Sequence, residues 1–307
     1  MRIIVLGAAA GGGFPQWNCR CATCRQAWGG AVAAQSQASL AVSADDEHWL
    51  LLNASPDLRA QILATPALQP RRAGRDSPIA AVALTNGDVD AVAGLLTLRE
   101  SWPLALYATP RVLGVLAANS IFNVLNPDYV ARRPLALGEG IDLATRDGAP
   151  LGLRVEVFSV PGKVALWLED AAIEKRLAQR TEDTIGLAIS APATGKRFYY
   201  IPACAALDDD LRLRIREAPL LFFDGTLCHD DEMIAAGLGT KTGRRMGHLS
   251  VSGPAGSMAA LASLGIGRKL FIHINNTNPI LCAGTPERRA VEAAGWEVAC
   301  DGLELRL

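Results

Sequence analysis

Short β-type runs of apolar residues alternate with helical patterns along the whole of this 307-residue chain. Runs such as 79–84 and 220–223 have the length of buried strands, and each is followed by a polar turn. Because helices placed between strands have to cover the faces of sheets, we predict a mixed α/β fold. Periodicity alone leaves two architectures open, a doubly wound sheet and a sandwich of two sheets.

The apolar patterns and the turns that flank them predict the positions of the strands and helices. We predict strands over 2–6, 38–42, 48–53, 79–84, 104–107, 153–158, 185–189, 197–201, 220–223 and 269–274, with two more in the C-terminal tail. We predict helices after Ser55, which would be the N-cap, over 89–99, after Thr109, near 252–254 and over 286–294. The stretches 69–77 and 161–183 are the most irregular.

The composition indicates one large domain and excludes several classes of partner. Half of the residues are apolar, and the formal net charge is −1, so no basic surface is predicted to neutralise phosphates. No run approaches the roughly 18 apolar residues of a membrane-spanning helix. The sequence contains no linker and no internal repeat. We therefore predict a single domain over residues 1–307, with no nucleic-acid partner and no membrane span.

Three of the seven cysteines form the motif C-x-C-x-x-C at Cys19, Cys21 and Cys24. A tight turn can place three thiolates on one zinc ion, and a fourth ligand must then come from elsewhere. Such crowding favours a metal site over a disulfide framework, and it is consistent with a cytoplasmic protein. Three thiolates reduce the Lewis acidity of zinc, so we predict a structural site. The alternative is three free cysteines in a glycine-rich loop.

The glycine-rich segment 7–13 follows the first predicted strand. Its glycines miss the G-x-G-x-x-G spacing of a dinucleotide-binding turn, and the cysteine cluster stands where the helix of that motif would begin. We predict instead that these glycines allow the backbone to pass close to a pocket.

Two of the four histidines lie where α/β folds keep their functional residues. His248 precedes a predicted helix in a polar loop, and His273 ends an apolar strand that is followed by a polar run. We assign a function to both, the alternative being buried histidines with structural hydrogen bonds. His48 and His229 are predicted to be structural.

Charged residues near the same strand ends complete the candidate site. Asp88 and Asp90 follow the strand 79–84, and Asp224 ends the strand 220–223. A carboxylate there can bind metal, orient a histidine or cap a helix, and capping is the favoured interpretation for each one taken alone. Three cations precede His248, namely Lys241, Arg244 and Arg245. They could bind substrate carboxylates, or they could be solvated loop charges.

Six segments together resemble the coenzyme PQQ biosynthesis protein B family. They are GAAAGGGFPQWNCRCATC from residue 7, NASPDLRAQI from 53, LTNGDVDAVAGLLTLRE from 84, FFDGTL with DDEM from 222, KTGRRMGHLSVSG from 241 and FIHINNTNPIL from 271. The resemblance covers nearly the whole chain. That family is similar to the metallo-β-lactamase superfamily, which implies a four-layer αβ/βα sandwich of two mixed sheets.

The resemblance also implies that several metal ligands of the superfamily are missing. Its H-x-H-x-D-H motif corresponds to residues 86–91, where Asp90 matches the aspartate and Ala91 replaces the last histidine. The later histidine is absent near 160–162, and the bridging aspartate is replaced within 202–204. Because two-metal hydrolysis needs two ions and a bridging water, a residual metallo-hydrolase is the least favoured function.

The ligands that remain suit a single metal ion. His273 matches the final histidine of the superfamily, and His248 matches a histidine of its phosphodiesterase branch. With Asp90 and Asp224 they would hold or orient the metal, and such a set with open positions suits Fe(II). The fourth ligand of the cysteine zinc in that branch falls at Asn276 here, so Asn276, His273 or a water is the candidate.

The resemblance implies a role in the biosynthesis of pyrroloquinoline quinone (PQQ). Our first hypothesis is an iron-dependent oxygenase that hydroxylates the tyrosine-derived ring of a Glu–Tyr intermediate. Its substrate-binding residues would be Trp17, which could stack on the ring, with Lys241, Arg244, Arg245 and Asn275. The second hypothesis is a non-catalytic carrier of PQQ or its precursor towards the periplasm.

The predicted partner is thus a small-molecule PQQ precursor. Other proteins of the PQQ pathway and a homodimer are left open as partners.

Overall fold

The computed structural model describes residues 1–169 and 179–307. Its strands are β1 (Arg2–Gly7), β2 (Ser39–Ser43), β3 (Trp49–Leu52), β4 (Ile79–Ala83), β5 (Leu104–Ala108), β6 (Val130–Pro134), β7 (Gly140–Ala144), β8 (Pro150–Gly162), β9 (Gln179–Ala191), β10 (Lys196–Ile201), β11 (Leu220–Asp224), β12 (Arg268–Ile272), β13 (Trp296–Val298) and β14 (Glu304–Arg306).

The α-helices are short and lie between the strands. They are α1 (Ala22–Trp28), α2 (Leu58–Ala64), α3 (Val89–Val92), α4 (Pro110–Ala118), α5 (Asp209–Ile215), α6 (Glu232–Ala235), α7 (Ser257–Leu261) and α8 (Pro286–Ala293). Six 3₁₀ segments accompany them in the described residues, at Pro66–Leu68, Ala93–Leu98, Ser120–Val124, Leu166–Leu168, Arg244–Met246 and Pro279–Leu281. Among the residues described, no helix has the length and apolar character needed to span a membrane.

The strands form two seven-stranded sheets. The first has the order β14-β1-β2-β3-β4-β5-β6, and its strands from β3 to β6 are parallel. The second has the order β13-β12-β11-β10-β9-β8-β7, and its strands from β10 to β13 are parallel. The remaining pairs are antiparallel. Both sheets are therefore mixed.

Alternate side chains of each strand face two different cores. In β1, Ile3 and Val5 pack with Phe222 of β11 between the sheets, whereas Ile4 packs on the outer face of the first sheet. In β11, the next residue, Phe223, packs on the outer face of the second sheet. Because a strand points successive side chains to opposite faces, this pattern gives helix, sheet, sheet and helix layers. The four-layer αβ/βα sandwich is confirmed.

All of the predicted strands are present, and the main corrections concern helices and two edge strands that were not predicted. Ser55 is not the N-cap of α2, because that helix begins at Leu58 and the Ser55 hydroxyl donates instead to Gln61 Oε1 at 3.1 Å. The predicted helix 89–99 is the single α turn α3 followed by 3₁₀ turns. The helix placed near 252–254 begins later, at Ser257.

Two strands, β6 and β7, were not predicted, because most of their residues are half-exposed and no continuous apolar run marks them. The predicted irregular stretch 161–183 contains the end of β8 and the start of β9, which form a long hairpin. Its central part, 170–178, lies outside the described residues.

The carboxyl ends of the parallel strands in both sheets meet at one edge of the sandwich. The loop after β1 joins the sheets there, because Ala10 N donates to Ile274 O at 2.8 Å and Ile274 N donates to Ala8 O at 2.9 Å. A second connection runs from Ile185 N to Thr85 O at 3.0 Å. These bonds fix the positions of the loops that carry the candidate residues.

Candidate metal centre

The four residues predicted to hold or orient a metal come together at this edge. Asp224 ends β11, His273 follows β12, His248 follows the 3₁₀ turn Arg244–Met246, and Asp90 lies in α3. Asp224, His248 and His273 each offer a ligand atom, and these atoms lie within 4.8 Å of one another. Residues far apart in the sequence therefore form one cluster because parallel strands end at the same edge.

Each histidine of the cluster is paired with one carboxylate. His248 Nδ1 lies 2.7 Å from Asp224 Oδ2, and His273 Nε2 lies 2.8 Å from Asp90 Oδ2. The two imidazole rings stack with their centroids 5.3 Å apart. His273 has a φ of 57°, a conformation that is uncommon for a residue other than glycine and that often marks a functional position.

Thr226 connects the two pairs, and it is the residue that the sequence did not identify. Its hydroxyl donates to Asp224 Oδ1 at 2.6 Å and lies 2.9 Å from His273 Nδ1. A hydroxyl that donates a hydrogen bond to a carboxylate can still accept one, so Thr226 can accept a hydrogen bond from Nδ1–H of His273. That bond orients the ring so that Nε2 faces Asp90 and the cavity, as the partners of metal-binding histidines commonly do.

Asp90 and His273 stabilise each other in their charged forms. Burial alone would raise the pKa of Asp90, but the hydrogen bond and the charge of His273 outweigh it and lower that pKa. Burial alone would lower the pKa of His273, but the hydrogen bond and the charge of Asp90 outweigh it and raise that pKa. Two imidazoles and the Asp90 carboxylate line one cavity, and Asp224 lies behind His248. These residues fit a single metal ion, and a His and carboxylate set suits iron.

A cavity of about 310 Å³ opens onto this cluster. Asp90, His248 and His273 line it, and its volume is in the range of small-molecule sites. Gly11 lines it as well, and a Cβ at Gly11 would lie 3.5 Å from Asp90 Oδ2. The glycine-rich loop therefore passes beside the pocket, as its composition predicted.

Three of the five predicted substrate-binding residues lie at this cavity. Lys241 and Asn275 line it directly. Arg245 reaches it through Glu169, because its Nη1 lies 3.3 Å from Glu169 Oε2 and Glu169 lines the cavity.

The other two predicted substrate-binding residues lie elsewhere. The Trp17 side chain is 81 % exposed and does not line the cavity. Arg244 lines a second cavity, to which His229 and His248 also contribute. Neither Trp17 nor Arg244 lines the cavity that contains Asp90 and His273.

The positions that lack superfamily ligands surround a small void beside the cluster. Ala91 and Ala203 line this void of about 10 Å³ with Asp90 and His273. That volume accommodates about one water molecule. Ala91 and Ala203 offer no ligand atom there, and Asn53 and Asn86 are the neutral polar residues of the same void.

The cysteine motif forms the second cluster. The sulfur atoms of Cys19, Cys21 and Cys24 lie within 4.8 Å of one another around the start of α1. Trp28 Nε1 donates to Cys19 O at 2.9 Å and holds the loop against the helix. Burial raises the pKa of the Cys24 thiol to about 11, so a bound metal ion has to displace its proton. Three converging thiols fit zinc.

Asn276 lies against these thiols. Its Nδ2 is 3.2 Å from Cys24 Sγ, and its backbone oxygen accepts from the Thr23 hydroxyl. The oxygen and nitrogen of an amide exchange places on a simple rotation, so Oδ1 can point to the same spot. His273 is bonded to Asp90 and Thr226 instead. Of the two residues predicted as the fourth ligand, Asn276 is therefore the one placed beside the cysteines.

Comparison with known proteins gives relatives over the full length of the chain. The family described as "Beta-lactamase superfamily domain" matches residues 48–274. Proteins named "Coenzyme PQQ synthesis protein B" from Rhodopseudomonas palustris (strain TIE-1) and Methylobacterium sp. (strain 4-46) are 55% and 57% identical, with 100% of both chains covered.

Solved structures show the same fold. The crystal structure of Zn(2+)-bound PqqB from Methylobacterium extorquens matches with a TM-score of 0.95 and 54% identity, covering 100% of each chain. A diphosphatase from the PhnP family matches with a TM-score of 0.68 at 19% identity, covering 100% of this chain and 97% of its own, which supports the fold alone.

Proposed function

This chain belongs to the coenzyme PQQ synthesis protein B family, and on that premise we propose that it is an iron-dependent enzyme of PQQ biosynthesis. The proposed reaction is hydroxylation of the tyrosine-derived ring of a Glu–Tyr intermediate. The observation that carries this proposal is the cluster of Asp90, Asp224, His248 and His273 at the end of a cavity of ligand size.

Iron would be held by His273, His248 and the carboxylate of Asp90, with Asp224 orienting His248. An Fe(II) ion in such a site, with open positions, supplies the chemistry of non-haem oxygenases, which use dioxygen. In the net step a ring C–H becomes C–OH with one oxygen atom of O2. Two electrons and two protons from an added reductant convert the other atom to water.

The residues of the chain prepare this site before the substrate arrives. Asp224 is fully buried and accepts from Cys204 N at 2.9 Å and from Thr226 N at 3.0 Å, so its carboxylate is fixed. It orients His248, and Thr226 orients His273. Such preorganised supporting hydrogen bonds commonly tune metal affinity and activity by 10- to 100-fold.

The cysteine cluster has a different role in the proposal. We assign it a structural zinc, held by Cys19, Cys21 and Cys24 with Asn276 beside them. Two observations support this assignment, namely the three converging thiols and the Zn(2+) bound in the relative from Methylobacterium extorquens. Three thiolates make this cluster unsuited to activate a substrate.

A non-catalytic carrier of PQQ or its precursor is the second candidate. It is favoured by Ala91 and Ala203, which offer no ligand atoms beside Asp90 and His273. A carrier would need the cavity and its charges but would need neither dioxygen nor His273.

Oxygen uptake distinguishes the two functions. The protein would be loaded with Fe(II) or Zn(II) and mixed with the Glu–Tyr intermediate and a reductant in an oxygen-electrode cell. The product would be analysed by mass spectrometry with ¹⁸O2. The enzyme proposal predicts uptake and a labelled hydroxyl with iron only, and loss of both in His273→Ala. Binding of the intermediate by iron-loaded protein without oxygen uptake would establish the carrier instead.

A further inference from the structure

Three cationic side chains converge on one carboxylate in the wall of the cavity. Lys163 Nζ lies 3.3 Å from Glu169 Oε1, and Lys241 Nζ lies 3.5 Å from Glu169 Oε2. Arg245 Nη1 lies 3.3 Å from the same Oε2. The side chains of Lys163 and Glu169 are only 12 % and 11 % exposed, so water screens this pair less than a surface ion pair. Lys241, at 41 % exposed, lies at the solvent side of the cluster.

The cluster joins segments that are distant in the sequence. Lys163 follows β8, Glu169 follows the 3₁₀ turn Leu166–Leu168, and Lys241 and Arg245 belong to the loop that leads to His248. Gly247 allows the contact between these segments, because its φ is 87° and a Cβ there would lie 3.0 Å from Lys163 Cγ. The loop that positions His248 therefore also carries two of the cations.

The same cavity connects this cluster to the metal-site residues. Lys163, Lys241 and Glu169 line it together with His248 and His273. A ligand that reaches the imidazoles therefore passes or contacts the cations. Burial alone would raise the pKa of Glu169, but the charges of the three cations outweigh it and lower that pKa, so the carboxylate is ionised.

The Glu169 carboxylate is largely buried and is surrounded by three cations. The carboxylate of a bound ligand would have the same charged surroundings. Removing Lys163 from water is costly unless an anion compensates its charge, and Glu169 supplies that anion. A carboxylate of a ligand in the cavity can supply it equally well, with the same charge-assisted hydrogen bonds.

We propose that Lys163, Lys241 and Arg245 form the carboxylate-binding subsite of the cavity, and that Glu169 occupies it as an internal stand-in until a polycarboxylate ligand displaces it. This inference rests on the proposed function for the choice of ligand. It adds Lys163 and Glu169 to the residues that determine specificity, and it predicts selection for ligands with free carboxylates.

Two variants with opposite expected effects test the subsite. The probe is PQQ, a polycarboxylate, and its methyl ester serves for comparison. Titration calorimetry measures the dissociation constant of each compound from the metal-loaded protein. In Lys163→Met we expect PQQ to bind about tenfold more weakly, because one charge-assisted contact is lost. In Glu169→Gln we expect PQQ to bind about fivefold more tightly, because no internal carboxylate competes.

The controls separate a local effect from loss of the fold. Lys163→Arg keeps the charge and should retain most of the affinity. Lys196→Met removes an exposed lysine at the start of β10, which does not line the cavity, and should change nothing. The methyl ester should bind wild type and Lys163→Met equally. Each variant is first compared with wild type by its thermal unfolding temperature.

Weaker or unchanged binding of PQQ to Glu169→Gln would overturn the inference, because Glu169 would then be a structural partner of the cations. An equal loss of affinity for PQQ and for its ester in Lys163→Met would overturn it as well. Because only binding is measured, its failure is distinct from that of the proposed oxygenase, which depends on oxygen uptake. A protein that shows these affinities and consumes no oxygen would keep the subsite and lose the enzyme.

Discussion

The two candidate metal clusters of this molecule are assembled in opposite ways. Cys19, Cys21 and Cys24 lie in one loop and the helix that follows it, so their positions depend on a single local turn. The histidine and aspartate cluster spans the chain, and its pair Asp90 and His273 are 183 residues apart. The first cluster can form around a metal ion, whereas the second exists only when both sheets are in place.

This difference suggests different roles for the two clusters, stability for the cysteine cluster and catalysis for the histidine and aspartate cluster. The cysteine cluster, which we call closed, offers three thiols beside a backbone carbonyl and an amide, so protein atoms can supply all four ligands of a structural zinc. Cys19 and Cys21 also line a cavity of about 490 Å³, so it is the number of protein ligands, not burial, that makes this cluster closed. The other cluster faces a cavity and has charged, oriented ligands, which suits an open site. The two meet in one segment, since His273 and Asn276 are three residues apart and each contacts a different cluster.

Removing a ligand from the open cluster should have the largest effect on activity and none on the closed one. For His248→Ala we expect turnover of the Glu–Tyr intermediate to fall about 10³-fold, because metal ions contribute several kcal/mol to catalysis. The zinc content should stay unchanged. Both are checked by product analysis and elemental analysis, and a loss of zinc in this variant would show that the clusters are not separable.

Removing a ligand from the closed cluster should instead reduce stability. For Cys24→Ser we expect loss of zinc and a decrease of about 4 kcal/mol in the free energy of unfolding, the linkage contribution of a ligand at roughly 1,000 times its Kd. Chemical denaturation measures it. Cys300→Ser, at the exposed cysteine, is the control and should behave like wild type. Equal stability of Cys24→Ser and wild type would contradict a structural zinc.

Neutralising the buried carboxylate should weaken the open cluster without removing it. Asp224 contacts His248 and Thr226, so for Asp224→Asn we expect metal affinity to fall 10- to 100-fold. Competition with a metal-sensitive dye measures this change. Asp128→Asn, at an exposed position outside the cavity, should leave the affinity unaltered. Unchanged affinity in Asp224→Asn would place the metal elsewhere.

The smallest change should come from the hydroxyl that connects the two histidines. For Thr226→Val we expect about a tenfold lower metal affinity, because His273 Nδ1 loses a buried partner and such a loss costs about 1–3 kcal/mol. Thr226→Ser keeps the hydroxyl and should behave like wild type. Dye competition again supplies the measurement, and equal affinities of the valine and serine variants would remove Thr226 from the site.

The sequence predicted the closed cluster more directly than the open one, because the closed cluster is local in the sequence and the open one is not. A C-x-C-x-x-C motif is a local pattern, so the approach of its sulfurs can be read from spacing alone. The open cluster could be predicted only from strand ends and from the family resemblance. The strand ends indicated the two histidines, the family resemblance grouped them with Asp90 and Asp224, and the structure places the four residues as neighbours.

The residues that were missed depend on tertiary contacts. Thr226 is two residues after a strand end, and the turn Asp224-Gly225-Thr226 is the sequence signal that could have indicated it. Its role depends on hydrogen bonds to Asp224 and His273, which only the fold brings about. Lys163 and Glu169 lie in a stretch predicted to be irregular, with no motif around them. Trp17, in contrast, was predicted to bind substrate because its aromatic ring could stack on a ligand ring, but its loop exposes that ring to solvent.

The most direct test of two separate metal centres is elemental analysis of protein purified without chelator and reconstituted with Fe(II) under reducing conditions. The account predicts one zinc and one iron per chain in wild type, loss of zinc alone in Cys21→Ala, and loss of iron alone in His273→Ala. Zinc without any iron uptake in wild type, or loss of both metals in either variant, would contradict it.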